Sequence, residues 1–172
     1  MTYAIIYSSK TGNTELLADV IRQALPEENC VWYGPVSGAA EASGNADMIF
    51  AGFWTDIGTC DEAMAGFLRE LAGKEVFLFG TAGFGQSEDY FSQILGKVGS
   101  HLDKSCHLAG TFMCQGKMPE SVRRRYEGML ESGGDERKVK GLIENFDRAL
   151  SHPDEGDEKR LREAVLEIMG RG

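Results

Sequence analysis

The chain has 172 residues, of which 42% are hydrophobic and 26% charged, enough for one compact domain with a real core. With 18 Lys and Arg against 27 Asp and Glu its formal net charge is −9, a balance that repels nucleic-acid backbones and anionic membrane surfaces. Its apolar stretches, such as residues 76–79, fall far short of the ~20 residues that span a bilayer, and the N-terminus opens Met1-Thr2-Tyr3 with no basic segment and an apolar run that stops at Tyr7, so no secretory signal and a cytoplasmic location are expected.

Residues 3–7 form a short apolar run that enters a Ser/Thr/Gly cluster, after which Leu16, Leu17, Val20, Ile21 and Leu25 recur at helical spacing. This predicts a strand, a loop and a helix closed by Pro26. A second strand is expected at 30–33 and a small-residue loop at 34–44, followed by a third strand at about 48–53. Helix 61–71 places Met64, Phe67, Leu68 and Leu71 on one face and stops at Gly73. A fourth strand spans 75–79. It leads into a glycine-rich turn, Gly80-Thr81-Ala82-Gly83-Phe84-Gly85, then a helix at about 87–102 with Phe91, Ile94, Leu95 and Val98 inward. The fifth strand is expected at 107–113. Short, almost wholly apolar strands alternating with amphipathic helices indicate an α/β fold, a parallel sheet covered on both faces, with right-handed crossovers.

The alternation then breaks, because 119–131 and 135–150 read as two consecutive helices before a last helix at 154–169, whose Leu161, Val165 and Ile168 sit at core spacing. The chain is therefore expected to be a single domain, 1–172, with a helical insertion at about 117–151 before the closing helix. The insertion carries the basic cluster Arg123-Arg124-Arg125.

Cys30, Cys60, Cys106 and Cys114 show no paired spacing and read as reduced thiols, and no metal site is expected. His101, His107 and His152 stand isolated, and no nucleophile and base pair marks a catalytic residue.

The segment between the first strand and first helix carries the chemistry. In Ser8-Ser9-Lys10-Thr11-Gly12-Asn13-Thr14, five of seven residues bear a hydroxyl or amide, around a glycine. Hydroxyl donors, free backbone N–H groups and the positive end of a helix dipole together suit a phosphate dianion. One such residue would be enough to cap the helix. Neither the Gly-x4-Gly-Lys-Ser/Thr loop of nucleotide triphosphatases nor the Gly-x-Gly-x-x-Gly dinucleotide fingerprint is present.

Residues 9–14 resemble the phosphate loop of flavodoxins, Thr/Ser-x-Thr-Gly-x-Thr, with Ser9 in the first place. The resemblance covers about 1–113 and the closing helix, and implies a flavodoxin-like three-layer α/β/α sandwich with a five-stranded parallel sheet of order 2-1-3-4-5. It also implies FMN as cofactor, bound at the carboxyl edge of the sheet. The family's second cofactor loop corresponds to Trp54, Thr55, Asp56, Ile57 and Gly58. Trp54 stands one place earlier than the family's usual tryptophan, and either stacks on the flavin or packs beneath the loop. Gly58 suits the peptide rearrangement by which such sites respond to flavin reduction. The third loop corresponds to Thr81, Ala82, Gly83 and Phe84, and lacks the family's usual acidic residue and tyrosine. Asp56, Asp61 and Glu62 are expected near the ring, where they would lower the potential for forming an anionic reduced flavin, although Asp61 also reads as a helix cap.

The resemblance implies an electron carrier, expected as a monomer, whose acidic surface docks on a redox partner such as a reductase or oxidoreductase. The alternatives are an FMN-dependent reductase of quinone or tetrapyrrole type, or a subunit supporting one, and a cofactor-free interaction protein. Gln115-Gly116-Lys117-Met118-Pro119 lies on the same edge and is read either as part of a partner or substrate site or as a plain turn.

Overall fold

The structure is a computed structural model that describes residues 1–170 except Ala40 and Gln86. Its elements run β1 (Tyr3–Tyr7), α1 (Asn13–Ala24), β2 (Cys30–Pro35), β3 (Met48–Trp54), α2 (Glu62–Glu70), β4 (Glu75–Ala82), α3 (Glu88–Gly99), β5 (His107–Gln115), α4 (Glu120–Glu131), α5 (Glu136–Ala149) and α6 (Glu155–Met169). All five strands are parallel, in the order β2-β1-β3-β4-β5. This is the order the flavodoxin resemblance implies. The reversal of direction falls between β1 and β3, so their carboxyl ends leave a crevice where open α/β sheets bind ligands.

The central strands are buried on both faces. On one side Ala4, Ile6, Ile49, Ala51 and Phe53 pack with Met64, Phe67 and Leu68 of α2 and Ile94 and Val98 of α3. On the other, Tyr3, Ile5, Met48 and Phe50 pack with Leu17, Val20 and Ile21 of α1 and Leu161 and Val165 of α6. Alternate residues of one strand feed opposite layers, which is why these strands read as continuous apolar runs.

The strands outrun their sequence signals at the carboxyl edge. The turn expected from Gly80 begins only at Gly83, because Gly80, Thr81 and Ala82 continue β4, paired with Phe53 and Trp54 on one side and with Met113, Cys114 and Gln115 on the other. Gly80 is a strand residue for a steric reason: a Cβ there would sit 2.3 Å from the Phe53 ring. Gly52 faces Phe79 in the same way, at 2.3 Å. Each phenyl ring thus lies over the glycine of the opposing strand. The small-residue loop expected at 34–44 starts later, because Gly34 and Pro35 continue β2; after them come the short 3-10 turns Val36–Gly38 and Ala42–Asn45, with Ala40 outside the described residues.

Helices α4 and α5 pack on each other around Tyr126, Val139 and Phe146, a small core of their own joined by Met118 and Val122. Among the described residues no helix is long and apolar enough to cross a membrane.

Candidate functional site

The first loop leaves β1 and turns into α1 through Gly12, whose φ of +88° is left-handed and whose surroundings are open, with nothing within 4 Å of a built Cβ. No side chain caps α1 at this residue, and the first-turn amides of any helix lack intrahelical acceptors. The loop's side chains hold one another in place. Asn13 Nδ2 donates to Thr11 Oγ1 at 3.1 Å and to the Lys117 carbonyl at 2.9 Å, which leaves the Thr11 hydroxyl proton free to donate elsewhere. Ser9 Oγ accepts from the Glu15 amide at 3.4 Å, and Thr14, fully buried, meets Thr81 Oγ1 at 3.3 Å beneath the loop.

Asp61 ties the first loop to the second. One carboxylate oxygen accepts from the Met64 amide at 3.1 Å and so caps α2, while the other accepts from Trp54 Nε1 at 3.3 Å and from the Ser8 hydroxyl. The indole is thereby fixed at its polar edge, and Lys10 Nζ lies 4.9 Å from its ring centroid. Thr55 is pinned to β4, its amide and hydroxyl both donating to the Thr81 carbonyl at 2.9 and 2.8 Å. Beyond it, Asp56 and Thr59 exchange backbone hydrogen bonds around Ile57 and Gly58, whose φ values are +48° and +78°. That two-residue reversal puts a β-branched side chain, 97% exposed, in a left-handed conformation.

The third wall comes from the segment after β5 together with the helical pair. Gly116 donates to the Ala82 carbonyl at 2.9 Å. Gln115 Nε2 and Asn145 Nδ2 both donate to the Gly83 carbonyl, at 2.9 and 3.1 Å. Met118 lies so close to Gly83 that a Cβ there would be 2.6 Å from its sulfur.

These walls enclose an open cleft of about 370 Å³. Of the residues singled out from sequence, Lys10, Thr11, Asn13, Trp54, Thr55, Thr81, Ala82 and Gly83 line it; Ser8, Ser9, Gly12, Thr14, Asp56, Ile57, Gly58 and Phe84 do not. Phe84 is 41% exposed, outside the lining. The α4 part of the far wall was missing from the sequence reading: Ser121, Val122 and Arg125 join Lys117, Met118 and Pro119, which the sequence reading had placed on this edge. The signal for it was weak, because 115–119 was legible only as a segment on the correct edge and nothing in the helical pattern says that α4 folds back over it.

Histidine and carboxylates meet elsewhere. His152 Nδ1 lies 2.6 Å from Asp157, whose carboxylate also accepts from the Asp154 amide and from Arg160, so the group is spent on capping α6. Cys114 is buried, and burial pushes its thiol well above the usual range; burial also raises the thiol of Cys60.

A doubly wound parallel sheet with a hydroxyl-rich loop at its switch point and an open cleft above defines a flavodoxin-like fold. The chain belongs to the flavodoxin domain family, whose model matches residues 4–166. It is 41% identical to the flavodoxin-like domain-containing protein BilS of Clostridium symbiosum (strain WAL-14163), over 91% of this chain and 90% of that protein. Among solved structures it resembles oxidised flavodoxin 2 from Bacillus cereus, with a TM-score of 0.60 and 18% identity over the whole of both chains. It also resembles the Fusobacterium nucleatum flavodoxin bound to flavin mononucleotide, with a TM-score of 0.52 and 16% identity over 99% of this chain and 98% of that one.

Proposed function

We propose that this chain binds FMN non-covalently in the cleft and passes electrons to a redox partner protein. The observation that carries the reading is the pairing of the α1 N-terminus, whose cap residue Gly12 has no side chain to occupy it, with a cleft of about 370 Å³ beside it, within the size range of small-ligand sites. The residues fit the group. Thr11 has a hydroxyl proton to donate, Lys10 a positive charge, and the left-handed Gly12 exposes backbone toward open space, which suits a phosphate. Trp54, Met118 and Val122 supply apolar surface for a flat ring.

FMN, when bound, supplies the electron chemistry, and the protein supplies position, shielding and charge. Asp61 orients Trp54 and Ser8, so the wall and the phosphate loop are set by one carboxylate. The α4 wall keeps water from one side of the cleft, and the open side is where a partner would approach. A chain of net charge −9 suits weak, fast, salt-sensitive docking on a basic partner surface.

The test is titration of the full chain with FMN and with riboflavin, followed by flavin fluorescence. Saturable one-to-one FMN binding, weakened more by Thr11→Ala than riboflavin binding is, supports the reading. Absence of flavin binding overturns it.

A further inference from the structure

Two cavities meet at the hydroxyl-rich loop. The larger is the cleft of about 370 Å³; the smaller, of about 230 Å³, is lined by Gly12 and Leu16 at the start of α1 and by Leu150, Ser151 and His152 of the α5–α6 connection. Three residues line both: Thr11, Asn13 and Lys117. Thr11 and Asn13 belong to the loop. Lys117 comes from the segment after β5, and its backbone is tied on both sides: its carbonyl accepts from Asn13 Nδ2 at 2.9 Å, and its amide donates to the His152 carbonyl at 3.0 Å.

The chain is acidic, yet no Asp or Glu is among the described residues that line either cavity. The basic side chains there are Lys10, Lys117, Arg125 and His152, and three of them are engaged. Lys10 Nζ stands 4.9 Å from the Trp54 ring centroid, the Arg125 guanidinium lies 5.7 Å from the Tyr126 ring centroid, and His152 Nδ1 is 2.6 Å from Asp157. Lys117 is exposed, and among the described residues its ammonium makes no ion pair, hydrogen bond or ring contact. Anchored by its backbone at Asn13, a lysine's flexible four-carbon stem keeps the charge within reach of the loop.

Resting on the FMN reading above, we propose that Lys117 is the residue by which the chain selects the phosphorylated flavin over riboflavin, its ammonium pairing with the phosphate where the two cavities meet. The two ligands differ in that one group, which carries about −1.5 to −2 charges at pH 7. The hydroxyl and amide donors of the loop orient a phosphate without bringing a full charge, and a net charge of −9 repels a dianion at long range. An unpaired lysine at the loop offsets both. Lysine binds phosphate as a point charge, so its contribution is absent for riboflavin and is weakened by salt.

The experiment measures the Kd of FMN and of riboflavin by flavin fluorescence, at low and at high NaCl, for the full chain, Lys117→Gln, Lys117→Arg and Arg124→Gln. Arg124 belongs to the same basic cluster as Arg125 but lines neither cavity. Lys117→Gln should lose at least tenfold in FMN affinity at low salt while riboflavin affinity stays within twofold, and its FMN binding should respond less to salt than that of the unaltered chain. Lys117→Arg should keep FMN affinity within threefold, and Arg124→Gln within twofold. Because Lys117 is bonded through its backbone, Lys117→Gln should keep the parent's Tm; a merely structural effect would weaken both flavins together. Equal losses for the two ligands, no loss for FMN, or the same loss in Arg124→Gln overturns the proposal. So does FMN binding by the unaltered chain that is no more salt-sensitive than riboflavin binding, a result that needs no variant to fold. Absence of flavin binding by the unaltered chain overturns the FMN reading instead, a separate outcome because it is seen before any substitution is made.

Discussion

Gln115 at the end of β5 and Asn145 in the middle of α5 share one acceptor: both side-chain amides donate to the carbonyl of Gly83, and Gln115 Nε2 also donates to Asn145 Oδ1 at 3.1 Å. Both residues are buried, at 6% and 8% exposure, so the bridge is the polar bolt between the helical pair and the sheet edge. Asn145→Leu removes a donor and an acceptor and leaves part of the Gln115 amide unsatisfied. That should cost about 2 kcal/mol. Differential scanning calorimetry should show a fall in Tm of roughly 4–8 °C at this chain length. Limited proteolysis should then cut near Gly133 and Gly134, between α4 and α5, faster than in the unaltered chain.

Asp61 offers a second test of how the site is held. Asp61→Ala removes the cap of α2 and the acceptor for Trp54 and Ser8 together. The cap alone is worth about 1 kcal/mol, and stranding two partly buried donors adds a similar amount. Chemical denaturation should therefore show a loss of about 2 kcal/mol, with FMN affinity falling at least fivefold. Asp61→Asn keeps one acceptor oxygen and should lose roughly half as much.

The sheet core gives a matched pair of glycine substitutions. In Gly80→Ala the new methyl meets the Phe53 ring at 2.3 Å in a layer where the ring itself is fully buried, so it has no free direction to move. Overpacking of this kind should cost about 3 kcal/mol. Gly141→Ala, in the middle of α5 with nothing within 4 Å of the new Cβ, should instead stabilise by about 0.5–1 kcal/mol. Urea midpoints of the two variants should move in opposite directions from the parent.

What was legible in the sequence follows from the length scale of each signal. The parallel sheet was readable because both of its faces are buried, which forces every residue from Ile49 to Phe53 except Gly52 to be apolar; helix starts at Asp61 and Asp154 were readable because capping is local. The hydroxyl-rich loop between β1 and α1 was readable for the same local reason. The end of β4 was misjudged because Gly80 resembles a turn residue until Phe53, 27 positions earlier, is seen across the strand pair. The α4 wall was invisible because it depends on Asn145, whose partner Gly83 is 62 residues away, and on Asn13, bonded to a carbonyl 104 residues away. Neither polar residue carries a periodic pattern. Arg125 likewise reads as one member of a surface cluster until α4 is laid over the cleft, whereas its neighbour Arg123 is spent on Glu127 and Asp147.

Alkaline stability has a definite sign. Burial, its main cause, raises the hydroxyl of Tyr3 to about 12 and lifts Tyr7, Tyr33 and Tyr90 in the same direction, as it lifts the thiols of Cys60 and Cys114. In the unfolded chain these groups lose their protons near 8.5 for Cys and 10 for Tyr. Below those values both states keep the protons, and their contribution to stability is complete. Above them the unfolded chain releases protons that the folded chain retains, so unfolding is favoured more with each step in pH. Under reducing conditions Tm should be level through pH 8 and fall from about pH 9 upward. Titration of tyrosinate absorbance should show at least Tyr3 ionising only near 12. A Tm that holds to pH 11 would contradict this assignment.

The reversal at Ile57 and Gly58 sets stability against an exposed apolar side chain beside the cleft. Both residues have positive φ, the pattern of a tight two-residue turn that favours Asn-Gly, yet the first position holds a β-branched residue that is 97% exposed and buries almost nothing. A left-handed conformation costs an ordinary L-residue roughly 1–2 kcal/mol, and Asn tolerates it better than Ile. Ile57→Asn should therefore stabilise the chain by about 1 kcal/mol, raising Tm by about 2–4 °C. Because Ile57 does not line the cleft, FMN affinity should stay within twofold. A loss of Tm on Ile57→Asn would mean that the turn does not carry the strain its backbone angles indicate.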